Sequence, residues 1–313
     1  MSGSSSSGSV CGFSFGRNLT KLNYPVEAAV RSVLPLCDRF VFVVGRSEDD
    51  TRSRVERIDP KVEVLDSIWP DVKVDGTVLA IEANKAMTAA ECTGCTWGFY
   101  IQADEVVHED DLPRIQAAMD YWAEHLEVKA LLFRYLHFSL DYQTIDPWGY
   151  HKAARVVRLD GTCHIVGDAC GPAIKEYRGR RRRFRDPGDS GYLDKHHLGG
   201  LVRWARDPRG GLLSPAARIF RYGAVKTLQQ LEAKLQMIEE LWWGNLSKAE
   251  MERRRKERFP DPTQRYRIMK RFRGSHPAVM RDRIAALPVF ANTRSRWLRL
   301  AFYREILRHG FKG

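Results

Sequence analysis

Short apolar runs alternate with amphipathic helical patterns in the first half of the chain, and this alternation constrains the fold most strongly. The runs RFVFVVG, KVEVLDSIW and TWGFYIQ have the length and the β-branched and aromatic content of strands. Helical periodicity separates them, first over residues 24–34 and then over residues 79–91. Strands and helices that alternate at these spacings predict an α/β layer with a mostly parallel sheet.

The pattern changes along the second half of the chain. Two further apolar runs, KALLFRYLHF and ARVVRL, predict strands, and a long polar and aromatic loop lies between them. Beyond Gly223 the segments LQQLEAKLQMIEELWW and SKAEMERRRKERF predict long amphipathic helices. We therefore expect a flexible leader over residues 1–10, an α/β domain over residues 11–223 and a helical region over residues 224–313 that packs on it.

Composition narrows the class of protein and the class of partner. No apolar stretch reaches the ~20 residues that span a bilayer, and the first ten residues lack the basic and apolar regions of a signal peptide. The six cysteines are too sparse for a disulfide scaffold, so we expect a soluble cytoplasmic protein. The net charge of +12 predicts an anionic partner, which leaves nucleic acid, an anionic membrane surface and a phosphorylated substrate open.

The clearest chemical signal is WGFYIQADEVVHEDDL, residues 97–112, where an apolar run leads directly into acidic residues. Asp104 and Glu105 fall where the strand is predicted to end, and in an open α/β sheet ligands bind at such ends. A buried carboxylate needs a partner, and Mg²⁺ or Mn²⁺ commonly takes one or two carboxylates together with phosphate oxygens. Glu109, Asp110 and Asp111 instead suit the N terminus of the following helix.

Other short motifs carry less information. GRSEDDT follows a predicted strand, and its Asp49 and Asp50 suit either hydrogen bonds to a ribose or base, or a simple turn. The sequence contains no P-loop and no GxGxxG, so neither a Walker-type NTPase nor a dinucleotide oxidoreductase is supported. The lone CxxC at Cys92 and Cys95 lacks two further zinc ligands at convincing spacing.

Taken in order, these segments resemble a known family over residues 12–285. The matching segments are GFSFGRN, YPVEAAVRSVLPLCDRFVFVVG, SEDDT, LAIEANKAM, WGFYIQADEVVHEDDL, LLFRYLHF, RVVR, FRYGAV and FRGSHPAVM. Together they resemble the bacterial family 2 glycosyltransferases of the GT-A fold, in a branch whose acidic motif reads QADE. The resemblance implies an α/β GT-A fold with a Rossmann-like sheet, and transfer of a sugar from a nucleotide-sugar donor to an acceptor hydroxyl.

The resemblance also implies roles for individual residues. By motif position, Asp104 would bind the Mg²⁺ or Mn²⁺ ion that bridges the donor diphosphate. Gln102 stands where many relatives have a first aspartate, so a single carboxylate with water is expected to coordinate the metal. The residues implied at the nucleotide or near the donor are Phe15, Arg17, Asn18, Asp49 and Asn84.

Three departures from the family pattern predict altered specificity. The chain reads RYGA over residues 221–224 where relatives usually read HYGW, Ala154 stands where they usually carry a glutamate before RVVR, and residues 167–209 diverge. A catalytically silent GT-A-like nucleotide-binding protein is therefore an alternative. A basic nucleic-acid-binding protein is a second alternative, although no known module interleaves the charge with aromatic residues.

Glycosyl transfer sets two chemical requirements. Negative charge on the leaving diphosphate must be stabilised, by a metal ion or by basic side chains such as Arg17 or Arg221. In an inverting displacement a carboxylate must also take the acceptor proton. Asp141 in HFSLDY is the first candidate for this base and Asp168 in GDAC is the alternative, while His137 and Tyr142 are candidates to shape the acceptor pocket.

The segment RGRRRRFR, residues 178–185, carries six arginines. So many guanidinium groups cannot enter a core without matching acids, so the segment is predicted to be an exposed loop. Arginines bind phosphate and carboxylate groups in a bidentate manner. We therefore expect residues 180–183 to bind an anionic acceptor.

Overall fold

The computed structural model describes residues 8–174, 201–258, 268–286 and 296–310, so the arginine segment and most of the predicted leader lie outside the described residues. The strands are β1 Val10–Gly16, β2 Arg39–Gly45, β3 Val62–Ser67, β4 Trp97–Tyr100, β5 Glu105–Val107, β6 Ala130–Ser139, β7 Thr144–Ile145, β8 Lys152–Arg158, β9 Cys163–Val166, β10 Gly171–Ile174, β11 Val202–Trp204, β12 Arg218–Ala224 and β13 Lys270–Arg271. The helices are α1 Val26–Val33, α2 Thr51–Glu56, α3 Thr77–Glu91, α4 Leu112–Ala123, α5 Leu228–Trp243, α6 Lys248–Arg258, α7 Arg281–Ala285 and α8 Leu300–His309.

A parallel layer in the order β3-β2-β1-β4 forms one half of the central sheet. Strand β8 is antiparallel to β4, and β6 follows it with β11 and β12 as parallel neighbours. Helices flank this sheet, and further helices follow β12. The predicted fold class is therefore confirmed as far as its architecture goes: an α/β fold with a mostly parallel central sheet, flanking helices and a helical C-terminal region.

Strand β1, which lies between β2 and β4, was not predicted from the sequence. Its sequence, VCGFSFG, contains two glycines and a serine, so it lacks the apolar density that identifies a strand. Tertiary packing supplies what the local pattern lacks, because Phe13 and Ser14 are buried between the two neighbouring strands. Gly12 is needed here, since a Cβ at that position would lie 2.2 Å from the Phe40 ring.

Strand β2 shows why the sheet is covered on both faces. Phe40 and Phe42 belong to the apolar cluster that includes α1 and α4 residues, whereas Val41 and Val43 belong to the cluster on the α3 side. Successive side chains of a strand point to opposite faces. A continuous apolar run such as RFVFVVG therefore requires helices on both faces of its sheet, and α1 and α3 provide them.

The region after β12 packs against the sheet. Met280 lies in a third apolar cluster with Phe138 and Phe220. The Phe272 N–H donates to the carbonyl of Gln143 at 2.7 Å. Within the part of the chain that the structure describes, no helix combines the length and apolar character needed to cross a bilayer.

Candidate active site

A cavity of about 300 Å³ opens at the carboxyl ends of β1 and β4. Six of the residues singled out from the sequence line it: Phe15, Arg17, Gln102, Asp104, Asp168 and Arg221. The other lining residues are Gly16, Leu19, Leu22, Tyr24, Trp69, Leu79, Ala103, Ala169, Lys234, Met237, Ile238 and Trp242. Loops that follow parallel strands meet at this edge, so residues distant in sequence converge here.

One wall of this cavity is aromatic and cationic. The Phe15 and Trp69 ring centroids are 6.3 Å apart, and the Arg17 guanidinium lies 5.9 Å from the Trp69 ring. The Trp69 indole N–H is buried and has no hydrogen-bond partner among the described residues. A flat aromatic surface beside an arginine can stack a planar base. Trp69 had no role in the sequence predictions, and its place at the end of the predicted strand KVEVLDSIW is the signal that could have found it.

Helix α5 covers the opposite side of the cavity. Its side chains Lys234, Met237, Ile238 and Trp242 face the cavity. The backbone N–H groups of Asp75 and Gly76 donate to carbonyls in the last turn of α5, at 3.2 and 3.3 Å. The amphipathic pattern predicted this helix. It did not indicate that the helix would line a cavity together with residues that lie more than 100 positions earlier in the chain, such as Asp104.

Asp104 is buried in the cavity wall and is surrounded by basic groups. Its Oδ2 lies 3.4 Å from the Arg221 Nε and 3.9 Å from the Lys234 Nζ. Burial would raise the pKa of Asp104, but Arg221 and Lys234 hold this pKa below its usual value. Burial lowers the pKa of Lys234 to about 8, so its ammonium group is still protonated at neutral pH. The carboxylate therefore already has two cationic partners.

The donor atoms around Asp104 do not fit a divalent cation. The Gln102 side-chain amide donates to the Ala169 carbonyl at 2.7 Å and to the Tyr100 hydroxyl at 3.1 Å. The Asp168 carboxylate accepts from the Cys170 thiol. No group of three or more histidine, cysteine or acidic side chains within the described ranges is arranged to hold a metal. The prediction asked only for a single carboxylate with water, so the metal role of Asp104 stays a prediction, but within the described residues the groups that contact its carboxylate are the cationic side chains Arg221 and Lys234.

Glu105 has a structural partner, so it does not join Asp104 at a cation site. Its carboxylate receives two hydrogen bonds from Arg155, at 2.7 and 2.8 Å, and one from the Tyr135 hydroxyl at 2.9 Å. Both charged side chains are fully buried. The Arg155 guanidinium also donates to the carbonyls of Ala154 and Cys170. This bidentate pair links β5 to β8 beneath the cavity.

Asn18, Asp49 and Asn84, which the resemblance placed at or near the donor, are not among the described residues that line the cavity. Their side chains make hydrogen bonds to the surrounding loops instead. The Asn18 Oδ1 accepts from the Glu48 N–H at 2.8 Å, and Asp49 accepts from the backbone N–H groups of Lys21 and Thr51. The Asn84 amide exchanges two hydrogen bonds with the Ile165 backbone on β9. These contacts hold the loops around the cavity.

A second cavity of about 230 Å³ shares Arg221 and Lys234 with the first. It is also lined by His137, Asp146 and Tyr150. Burial and the nearby Arg221 lower the pKa of His137 to about 3, so its ring is neutral and donates from Nε2 to the Tyr150 carbonyl at 2.7 Å. Among the described residues that line this cavity, Asp146 carries the carboxylate, and this residue was not among the candidates predicted from the sequence.

The two carboxylates predicted as the base lie in different places. Asp168 lines the first cavity. Asp141 is buried, accepts from the Gln143 N–H at 2.9 Å, and is not among the described residues that line either cavity. Tyr142 belongs to the aromatic cluster of Phe138 and Tyr222 instead of the second cavity.

Gly223 fixes how closely β12 approaches Asp104. A Cβ at this position would lie 1.9 Å from the Asp104 Oδ2 and 2.9 Å from the Lys234 Nζ. We expect Gly223→Ala to lower the free energy of unfolding by about 1–3 kcal/mol, because the extra methyl group overpacks the site. Urea unfolding measures the effect. Gly171→Ala is the matched control, since its Cβ would meet no atom closer than 3.8 Å, and equal losses in the two variants would contradict the prediction.

No protein-family model matches the chain, and no curated protein is significantly similar to it in sequence. Among solved structures, S. aureus TarS 1-349 in complex with UDP-GlcNAc aligns at 15% identity and a TM-score of 0.33, over 51% of this chain and 49% of that one. Glucosyl-3-phosphoglycerate synthase from Mycobacterium tuberculosis, with Mn²⁺, UDP and phosphoglyceric acid, aligns at 13% identity and a TM-score of 0.32, over 52% and 61%. The chain thus spans about half the length of these proteins, and no substrate or residue role carries over from them at these values.

Proposed function

We propose that this protein is a glycosyltransferase that moves a sugar from a nucleoside-diphosphate sugar to an acceptor hydroxyl. The observation that carries the proposal is the pair of adjoining cavities, which share Arg221 and Lys234. One cavity offers an aromatic wall for a base, and the other offers a carboxylate. Two substrates bound in these cavities would meet at the shared cationic side chains, where an anionic leaving group is stabilised.

The donor occupies the first cavity in this proposal. Its base stacks on Trp69 next to Phe15 and Arg17, and its sugar points toward Arg221. Asn18, Asp49 and Asn84 act indirectly, because their hydrogen bonds fix the loops that shape this cavity. Gln102 and Asp168 line the floor beside Ala169.

The reaction is an inverting displacement at the anomeric carbon. The acceptor oxygen forms a bond to this carbon as the bond from the carbon to the diphosphate oxygen breaks, and the electron pair leaves with the nucleoside diphosphate. The acceptor proton passes to a carboxylate. Asp146 suits this role best because it lines the cavity that adjoins the donor site.

Nucleotide binding tests the proposal directly. We expect a nucleoside diphosphate or nucleotide sugar from a panel with uridine, guanosine, adenosine and thymidine bases to raise the melting temperature, because a ligand that binds only the native state stabilises it. Trp69→Ala should weaken that binding about 5- to 150-fold, in line with ~1–3 kcal/mol for one aromatic–base stack.

Trp297→Ala is the matched control, because this tryptophan is 48% exposed and lines neither cavity among the described residues. Transfer to water, measured as slow release of free sugar, then separates a transferase from a silent nucleotide-binding protein. If no member of the panel raises the melting temperature, the proposal is wrong. A steep salt dependence of binding to nucleic acid would favour the nucleic-acid alternative.

A further inference from the structure

We propose that Arg221 and Lys234 form the binding site for the diphosphate of the donor and stabilise it as a leaving group in place of a divalent metal. This inference rests on the proposed function and assigns the anion site within it. In this arrangement Asp104 is a positioning residue that holds the two cationic side chains.

The first line of support is the way in which the two side chains are held. The Lys234 Nζ donates to the Gly223 carbonyl at 2.8 Å and lies 5.3 Å from the Tyr24 ring. The Arg221 guanidinium lies 5.7 Å from the Tyr150 ring. Both contact the Asp104 carboxylate. These contacts fix the two cations before any ligand arrives, and fixed charges need no reorganisation during a reaction.

The second line of support is the balance of charge. Arg221 and Lys234 bring two positive charges to the single negative charge of Asp104. The three side chains together therefore carry a net charge of +1. The side chains of Asp104 and Lys234 are only 6% and 13% exposed, and an unbalanced charge in such a place is unfavourable. An anion at the junction of the two cavities would balance the charge.

The third line of support is an unused donor. The Arg221 Nε is buried and has no hydrogen-bond partner among the described residues, since its 3.4 Å approach to Asp104 is an ion pair without hydrogen-bond geometry. About a third of the Arg221 side chain remains exposed, and it lines both cavities. Guanidinium groups bind phosphate oxygens through paired N–H groups. The buried Nε lies toward Asp104, so it is the exposed part of the side chain that can bind an anion from either cavity.

The same geometry argues against a metal on Asp104. A divalent cation bound to the Oδ2 atom would lie close to the Arg221 and Lys234 groups, which contact this oxygen already. Like charges at such short range repel each other strongly in a site of reduced dielectric constant. The family that the sequence resembles usually has a histidine at the position of Arg221. The cationic pair is therefore formed by a residue at which this chain differs from that family pattern.

Titration calorimetry with uridine, guanosine, adenosine and thymidine diphosphates, in EDTA and in Mn²⁺, tests the inference. We expect the affinity of the diphosphate that binds best to be the same in EDTA and in Mn²⁺ within about threefold. Arg221→Gln and Lys234→Met should each weaken it about 10- to 100-fold, as expected for a hydrogen bond to a charged group, while affinity for the matching nucleoside without phosphates stays unchanged. Arg52→Ala, an exposed arginine on α2, is the control for a general charge effect.

The outcomes separate the inference from the proposed function. If no diphosphate binds under either condition, both fail. If a diphosphate binds only with Mn²⁺, or EDTA abolishes sugar transfer, the proposed function stands and the inference is overturned. Equal loss of nucleoside and diphosphate binding in the Arg221 and Lys234 variants would also overturn it, because that pattern indicates damage to the fold. Circular dichroism and nucleoside binding show that each variant is folded.

Discussion

Replacing Arg155 by methionine is expected to lower the free energy of unfolding by about 3–5 kcal/mol. The substitution leaves the Glu105 carboxylate fully buried with one remaining side-chain donor, the Tyr135 hydroxyl. It also removes the donors that satisfy the carbonyls of Ala154 and Cys170. A buried charge without its partner is among the most destabilising changes in a protein. Urea unfolding at neutral pH measures the loss.

A double substitution separates the charge effect from the loss of packing. Glu105→Met combined with Arg155→Met removes both charges, so the double variant should recover much of the stability that Arg155→Met loses. Arg52→Met is the control, because its ion pair with Asp66 is 45% and 76% exposed and should change stability by less than about 1 kcal/mol. If Arg155→Met lies within about 1 kcal/mol of the natural chain, the pair does not have the structural role assigned to it.

Replacing Asp146 by asparagine is expected to lower kcat for sugar transfer about 100- to 10,000-fold and to leave donor affinity unchanged. This is the range that a general base contributes. The asparagine oxygen can still accept from the Trp148 N–H, which lies 2.9 Å from the Asp146 Oδ1, so the loop should keep its conformation. Steady-state kinetics with saturating donor measure kcat, and calorimetry measures donor affinity.

Three further variants show whether the base is correctly assigned. Asp120→Asn is the matched control on α4, where this carboxylate accepts from Gln116 at 2.8 Å. Asp141→Asn and Asp168→Asn test the two carboxylates that the sequence predicted. A large loss of kcat in either of these variants, together with a small loss in Asp146→Asn, would move the base to that residue.

Local sequence was sufficient to predict a helix or a strand wherever the pattern of apolar residues in a segment shows which of its side chains are buried. RFVFVVG predicted a strand, and β2 has Phe40 and Val41 on opposite covered faces. LQQLEAKLQMIEELWW predicted a helix, and α5 covers it entirely. Such segments can be predicted from their own residues, because the apolar side chains that must be removed from water recur at the spacing of a helix or a strand. VCGFSFG carries no such signal, and β1 is a strand because its neighbours on both sides provide backbone partners.

The sequence by itself determined the α/β class and marked the strand end before Asp104 as a candidate site, and the family resemblance added Phe15, Arg17 and Gln102, which line the cavity at that edge. Only the tertiary structure decided what those residues face. The neighbouring carboxylates Asp104 and Glu105 look alike in the sequence, yet one contacts Arg221 and Lys234 and the other pairs with Arg155. The physical reason is that the pKa and partners of a charged group depend on charges brought near it by the fold, and those partners lie 50 to more than 100 residues away in the chain.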